Sequence, residues 1–305
     1  MSAPRPFRFG LQVGRAASRS EWVDIGRRAE AVGFASVLVA DHVADDLLSP
    51  MAALAVLAGA TASVQLGTFV LNNDFRHPTL LAREAATIDL LSDGRFELGI
   101  GAGHSAPEYV EIGLPFDRAA VRVTRLEESA RLLRRLFDGE TVTAAGTHYS
   151  VTEHRLSPAR RPALLVGGNG DRVLRLGAEV ADIVGFTGLG RTLPDGQQHE
   201  IAWSGAEIDA KVALVRAAAG ARLAELELNA LVQHIEITDD RRAAAETVGA
   251  RIDADPDVLL AAPYMLIGTV AEIVAQLHAT RERWGFTYFV TRDAEQTAPI
   301  IAALG

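Results

Sequence analysis

Asp41 and His42 stand side by side directly after an apolar run, joining a carboxylate to the side chain that exchanges a proton near neutral pH. Such a pair suits acid–base chemistry on a bound substrate; a capping aspartate beside a histidine in a polar gap would read the same. Other polar groups follow apolar runs in the same way: Asn72, Asn73 and Asp74; His104 and Ser105 after Gly101, Ala102 and Gly103; and Gly167, Gly168, Asn169 and Gly170. In the last of these, glycines precede a helix opening near Asp171. Backbone N–H groups and the helix dipole there suit a phosphate, although an ordinary turn has the same composition. Gly99, Gly101 and Gly103 alternate, which signals either the close approach of something flat, another backbone, or a bulge.

Several other chemistries are absent from the pattern. The eight histidines offer no H-x-x-x-H pair and no carboxylate cluster has metal-ligand spacing, so no metal site is expected. No serine sits in a G-x-S-x-G setting. The lack of cysteine removes disulfides, thiolate ligands and thiol nucleophiles together, which suits a reducing compartment. A net charge of −9 is the wrong sign for a nucleic-acid partner. No window approaches the roughly 18 to 20 apolar residues of a membrane span, and no apolar signal core comes after the first residues. A soluble, cytoplasmic protein acting on a small molecule is the expectation.

The elements that must position these residues emerge from periodicity. At 305 residues and 49% hydrophobic, the chain can bury a large core as a single domain over residues 1–305. Strand patterns at 7–13, 36–40, 64–71, 96–100, 163–166, 182–186, 228–237 and 287–290 alternate with helical patterns at 20–32, 49–62, 78–91, 118–137, 171–178, 206–219, 241–252, 270–284 and from 297 onward. The segment from 101 to 117 reads as a loop, and 141–144 with 148–151 reads as a small hairpin around Ala145-Gly146-Thr147. Strand-then-helix units in this number predict an α/β fold, a closed (β/α)8 TIM barrel with insertions at its C-terminal face. An open doubly wound sheet would want a G-x-G-x-x-G at the first turn, and Gly10 and Gly14 do not supply one. In a barrel, every polar group named above lies where strands end and function collects.

The ordered motifs Phe9-Gly10-Leu11, Val39-Ala40-Asp41-His42, Leu66-Gly67-Thr68-Phe69-Val70-Leu71, His77-Pro78, Leu91-Ser92-Asp93-Gly94-Arg95-Phe96 and Leu98-Gly99-Ile100-Gly101-Ala102-Gly103 resemble the bacterial luciferase-like oxidoreductases. The Val166-Gly167-Gly168 turn and the stretch from Pro263 to Thr269 fit as well, so the likeness runs from about residue 7 to 290. The resemblance implies a barrel binding FMN or the deazaflavin coenzyme F420, and Asp41-His42 looks like the pair of the F420-dependent branch. It implies hydride transfer between F420 and a small organic substrate, with His42 at the reacting centre and Asp41 orienting it or touching the cofactor; His104, where the chain departs from the family, is a candidate proton donor. It also places a non-proline cis peptide near Phe69-Val70 and assigns Asp41, Phe69, Val70, Asn72, Gly101, Gly103, Gly167, Gly168 and Asn169 to the cofactor. One departure stands out: sugar-phosphate dehydrogenases of this family carry a glutamate where this chain has His104, which argues against that substrate.

Alternatives remain open at this level: an FMN-dependent monooxygenase served by a separate flavin reductase, or a non-catalytic barrel that only binds a flavin or deazaflavin. Glu108 and Trp203 are further candidates at the substrate. The glycine-rich segment 187–205, with Arg191, Gln197, Gln198, His199 and Trp203, reads as a loop without period, either a substrate lid or a surface segment. Relatives commonly pair, so a homodimer through an apolar seam at residues 78–91 is the expected assembly.

Overall fold

A computed structural model describes residues 5–43, 46–192 and 199–305. Its centre is a closed parallel barrel of eight strand positions: β1 Arg8–Gln12, β2 Ser36–Val39, β3 Gln65–Thr68 resuming at Leu71–Asn72, β4 Phe96–Gly101, β5 Ala163–Gly167, β6 Ile183–Phe186, β7 Glu227–Leu231 and β8 Phe286–Thr291. β1 pairs with both β2 and β8, and Leu66 of β3 lies opposite Phe96 of β4, which closes the ring. Helices α1 Arg19–Val32, α2 Pro50–Ala58, α3 Pro78–Leu91, α4 Ala106–Glu111, α5 Ala119–Phe137 and α6 Asp171–Val180 surround it. So do α7 Gly205–Ala219, α8 Arg241–Ile252, α9 Pro256–Ala261, α10 Val270–Trp284 and α11 Ala294–Leu304. The predicted barrel is thus the observed one.

Two apolar clusters divide the work. The larger joins strands to helices; the smaller, formed by Leu38, Phe69, Leu165, Ile183, Leu231, Tyr288 and Val290, fills the barrel itself. Residues near the strand starts close the opposite end with charge: Arg8 pairs with Glu97 at 2.7 Å and lies 4.1 Å from the Tyr288 ring centre, while the Tyr288 hydroxyl donates to Glu97 at 3.1 Å. Burial pushes that hydroxyl well above its ordinary pKa, so it remains a donor.

Four segments differ from the sequence reading. The run 228–237 splits, because His234–Ile237 leaves the barrel to pair in parallel with Met265–Gly268. The segment 101–117 contains the short helix α4. The segment 187–205 is not without period: Leu189–Thr192 pairs antiparallel with His199–Ile201. Gln197 and Gln198, and the side chains of Arg191 and His199, lie outside the described residues. Finally, the run 64–71 is interrupted.

That interruption is a bulge with consequences. Between the pairs Gly67↔Glu97 and Leu71↔Ile100, β3 advances four residues (67 to 71) while β4 advances three (97 to 100), so one residue is extra. Thr68 bridges the gap: its hydroxyl donates to the Gly99 carbonyl and accepts from the Gly99 N–H, both at 2.8 Å. The Phe69–Val70 peptide is cis. The Val70 side chain is set against β4 and β5, so that a Cβ on Gly101 would stand 2.8 Å from one Val70 methyl and a Cβ on Gly167 2.9 Å from the other. A Cβ on Gly99 would collide with the Thr68 carbonyl oxygen. Of the readings open for the alternating glycines, the bulge accounts for Gly99 and Gly101.

If Val70 and the glycines are fitted to each other, Gly101→Ala should destabilise the chain by about 1–3 kcal/mol through overpacking. Adding Val70→Ala should make the double variant less costly than the sum of the singles by roughly 1 kcal/mol or more in urea unfolding. Simple additivity would show that the two positions do not compete for one space.

Candidate active site

A cavity of about 360 Å³ opens at the carboxyl ends of the strands. Asp41, His42, Phe69, Val70, Asn72, Gly101, Gly103, His104, Glu108, Gly167, Gly168 and Asn169 all line it. Trp203 does not, a correction to the expectation: its ring is buried, 6.0 Å from that of Tyr264, in the core shared by strands and helices.

The carboxylate that holds His42 is not its neighbour Asp41. Glu108, 66 residues away, meets His42 Nδ1 at 2.7 Å through Oε1, and its other oxygen accepts from the Val43 N–H at 3.4 Å. With Nδ1 donating to a carboxylate, Nε2 is the ring atom left to accept or donate a proton, on a residue that lines the cavity. The His104 ring stands edge-on to His42, centres 5.5 Å apart. Two protonatable rings therefore share one wall.

Asp41 is instead locked to Arg76. Its Oδ2 takes Nη1 at 2.5 Å, its Oδ1 takes Nη2 at 3.2 Å, and the Asn72 N–H donates to Oδ2 at 3.1 Å. The expectation that Asp41 orients His42 is corrected accordingly: Asp41 ties the end of β2 to the turn after β3. This fork is a rigid, bidentate geometry.

Glu108 owes its position to α4. Its neighbour Tyr109 is buried between Phe75 and Phe116, with ring centres 5.4 and 5.0 Å away, and its hydroxyl, with one proton to give, stands 3.0 Å from Asn72 Oδ1 and 2.9 Å from Asp74 Oδ2. Asp74 is held in turn by Arg125 at 2.7 Å. Burial raises the Tyr109 hydroxyl above its ordinary pKa and keeps it protonated, as a donor must be. Gly103 leaves room for this socket: it has φ +72°, and a Cβ there would lie 2.6 Å from Asn72 Oδ1.

Local helix chemistry shows what Glu108 forgoes. Ser105-x-x-Glu108 has the spacing of a capping box, the reciprocal bond that Ser204–Glu207 and Thr269–Glu272 do form. At α4 no side-chain cap bond is made, and the carboxylate goes to His42. Sequence reasoning names Glu108 only as a further candidate at the substrate, since no local pattern links it to His42, 66 residues away. It passes over Gln12 and Arg292, which also line the cavity from the ends of β1 and β8. A polar side chain closing an apolar strand was the signal available, and both positions carry it.

On the β5 side, Gly168, Asn169 and Gly170 line the cavity at the start of α6, whose N-cap Gly170 supplies no side-chain cap. First-turn Asp171 is turned to other use: a hydrogen bond from Lys211 at 2.6 Å holds its carboxyl below the ordinary range. The leading N–H groups of a ten-residue helix thus start beside the cavity without a side-chain cap among the described residues.

With this geometry in hand, the chain can be set beside known proteins. The family model described as luciferase-like monooxygenase matches residues 5–288. The chain belongs to that family. Among curated proteins it is similar to the F420-dependent glucose-6-phosphate dehydrogenases of Microbacterium testaceum, 34% identical over 187 residues (58% of this chain, 55% of that protein), and of Beutenbergia cavernae, 35% over 175 residues (54% and 52%). The chain thus spans about half the length of the curated relatives it matches. Among solved structures, its fold resembles an F420-dependent secondary alcohol dehydrogenase in complex with an F420–acetone adduct (TM-score 0.76, 18% identity, 99% of this chain and 100% of that one). It also resembles the EDTA monooxygenase of Chelativorans sp. BNC1 (TM-score 0.75, 14% identity, 99% and 94%). Members of this fold group differ in chemistry, so the family name alone does not choose a reaction.

The Asp41–Arg76 fork is open to a direct test of asymmetry. Arg76→Gln leaves a carboxylate of 8% side-chain exposure without its cation and should cost about 2 kcal/mol or more. Asp41→Asn leaves a guanidinium of 22% exposure that reaches water and should cost about half as much. Equal losses in urea unfolding would mean that Asp41 is not effectively desolvated.

Proposed function

We propose that this chain is a coenzyme F420-dependent oxidoreductase that moves a hydride between the deazaflavin and a small organic substrate. The observation that carries the reading is His42, a residue of the cavity lining fixed through Nδ1 by Glu108 so that Nε2 is left to accept or donate a proton. Support comes from the curated relatives named as F420-dependent, similar over about half their length. When bound, the cofactor supplies a two-electron donor or acceptor at carbon.

The residues present fit such a group. Val70 and the glycines beside it give a flat, side-chain-poor floor on the β4 and β5 side of the mouth. The uncapped start of α6 at Gly168–Gly170 suits an anionic tail. Asn229, fully buried on β7, has both amide atoms without a partner among the described residues, and its Oδ1 is 3.7 Å from where a Cβ on the cavity-lining Gly185 would stand.

Reducing a carbonyl to an alcohol adds one hydride at carbon and one proton at oxygen; the reverse reaction removes both. His42 is the group placed to hold that proton at Nε2, and Glu108 offsets the charge of the protonated ring while keeping it aimed. His104 is the second ring within reach of the same wall. Glucose 6-phosphate is not carried over from the relatives, because His104 stands where the resemblance expects a glutamate. The homodimer also belongs to this reading: Leu80 and Leu91 on α3 are each 59% exposed, as a pairing seam would require. So does a cytoplasmic location; among the described residues no helix is long and apolar enough to cross a membrane.

Fluorescence titration with F420 and FMN tests the proposal. F420 should bind at least about tenfold tighter, and His42→Ala should keep F420 affinity within about threefold while turnover with an accepted carbonyl or alcohol substrate falls by about 10² or more. Preference for FMN, with oxygen consumption by the reduced FMN complex, would replace the proposal by a monooxygenase; unchanged turnover in His42→Ala would remove the histidine from the chemistry.

A further inference from the structure

Arg292 comes directly after β8 and lines the cavity, and it is the one lysine or arginine among the described residues that does so. It is held by its inner nitrogen. Nε donates to Gln12 Oε1 at 2.7 Å, and Gln12 Nε2 donates to the carbonyl of Phe69 at 2.8 Å, so the guanidinium hangs from the bulge that shapes the floor. Both Nη groups are left without a hydrogen bond among the described residues, and no carboxylate pairs with the side chain there. The surrounding protein disfavours the charged form, lowering the pKa from its ordinary value. The side chain is exposed overall, and a cation at a cavity wall with its outer edge unpaired gains by meeting an anion.

We infer that Arg292 recognises a carboxylate on the substrate, so that the molecule reduced or oxidised here is a small carboxylic acid. This rests on the F420-dependent reading and adds the substrate class to it. Count and shape favour a carboxylate. The paired Nη edge of a guanidinium matches two carboxylate oxygens, and one unpaired cation in the lining balances one negative charge, where a phosphate dianion would want more. The place of Arg292 favours the substrate over the cofactor. The cofactor's anionic tail has the α6 start at Gly168–Gly170, on the β5 side, whereas Arg292 and Gln12 stand at the β8–β1 side of the mouth. Held between Arg292 and His42, such an acid would be oriented at both ends.

Calorimetric titration of butyrate and of butyramide, alike in shape and different in charge, into F420-loaded protein tests the inference. Wild type should bind butyrate at least tenfold tighter than butyramide. Arg292→Gln should erase that preference while holding F420 affinity within threefold, and Arg292→Lys should restore part of it. Equal binding of the two probes to wild type would overturn the inference and leave the cofactor reading intact. A tenfold or greater loss of F420 affinity in Arg292→Gln would also overturn it, by assigning the arginine to the cofactor. Should F420 itself fail to bind, the cofactor reading falls separately, and the same titration on the cofactor-free protein still decides the charge preference: a tenfold butyrate preference that disappears in Arg292→Gln supports a carboxylate site, and its absence contradicts one.

Discussion

The arrangement depends on one residue too many in the third strand. The extra residue between Gly67 and Leu71 sets Val70 against β4 and β5, and the space is available because positions 99, 101 and 167 carry no side chain. A close-packed interior tolerates such an insertion only when facing positions yield equivalent volume. The same bulge presents the Phe69 carbonyl to Gln12, and through Gln12 it anchors Arg292. Beyond it, Asn72 supplies the N–H that meets Asp41 and the side-chain oxygen that meets Tyr109. Floor, cation and histidine wall thus share one origin.

Electrostatics at the mouth shows a similar economy of parts. Asp41 is balanced by Arg76 and Asp74 by Arg125, so these two carboxylates serve structure. Glu108 is joined instead to an imidazole, that of His42. A local cap at α4 is forgone to make that contact, and Tyr109, buried one residue on, replaces the cap as the helix's anchor. Sites that carry out chemistry commonly depart from the locally preferred bond in this way.

Much of the barrel was legible in the sequence, because strand–helix alternation is a local signal repeated around the ring; His42 was legible because a titratable residue directly after an apolar run falls at a strand mouth. Partners were harder. Asp41 adjoins His42 in sequence, but successive residues at a strand end point to different sides, and its true partner Arg76 lies 35 residues on, brought close by the turn after β3. Glu108 lies 66 residues from His42, and only the fold brings α4 to the end of β2. Trp203 was read from its loop setting, whereas Tyr264, from a remote segment, buries it.

The central claim is that Val70 and its glycines form the seat of the deazaflavin beside a His42 held by Glu108. A crystal structure of the chain soaked with oxidised F420 tests it most directly. The account predicts the planar ring against Val70, the phosphate at the Gly168–Gly170 amides, and the His42–Glu108 bond intact. A ring bound outside this cavity, or a His42 released from Glu108 and turned away from the ligand, would contradict it.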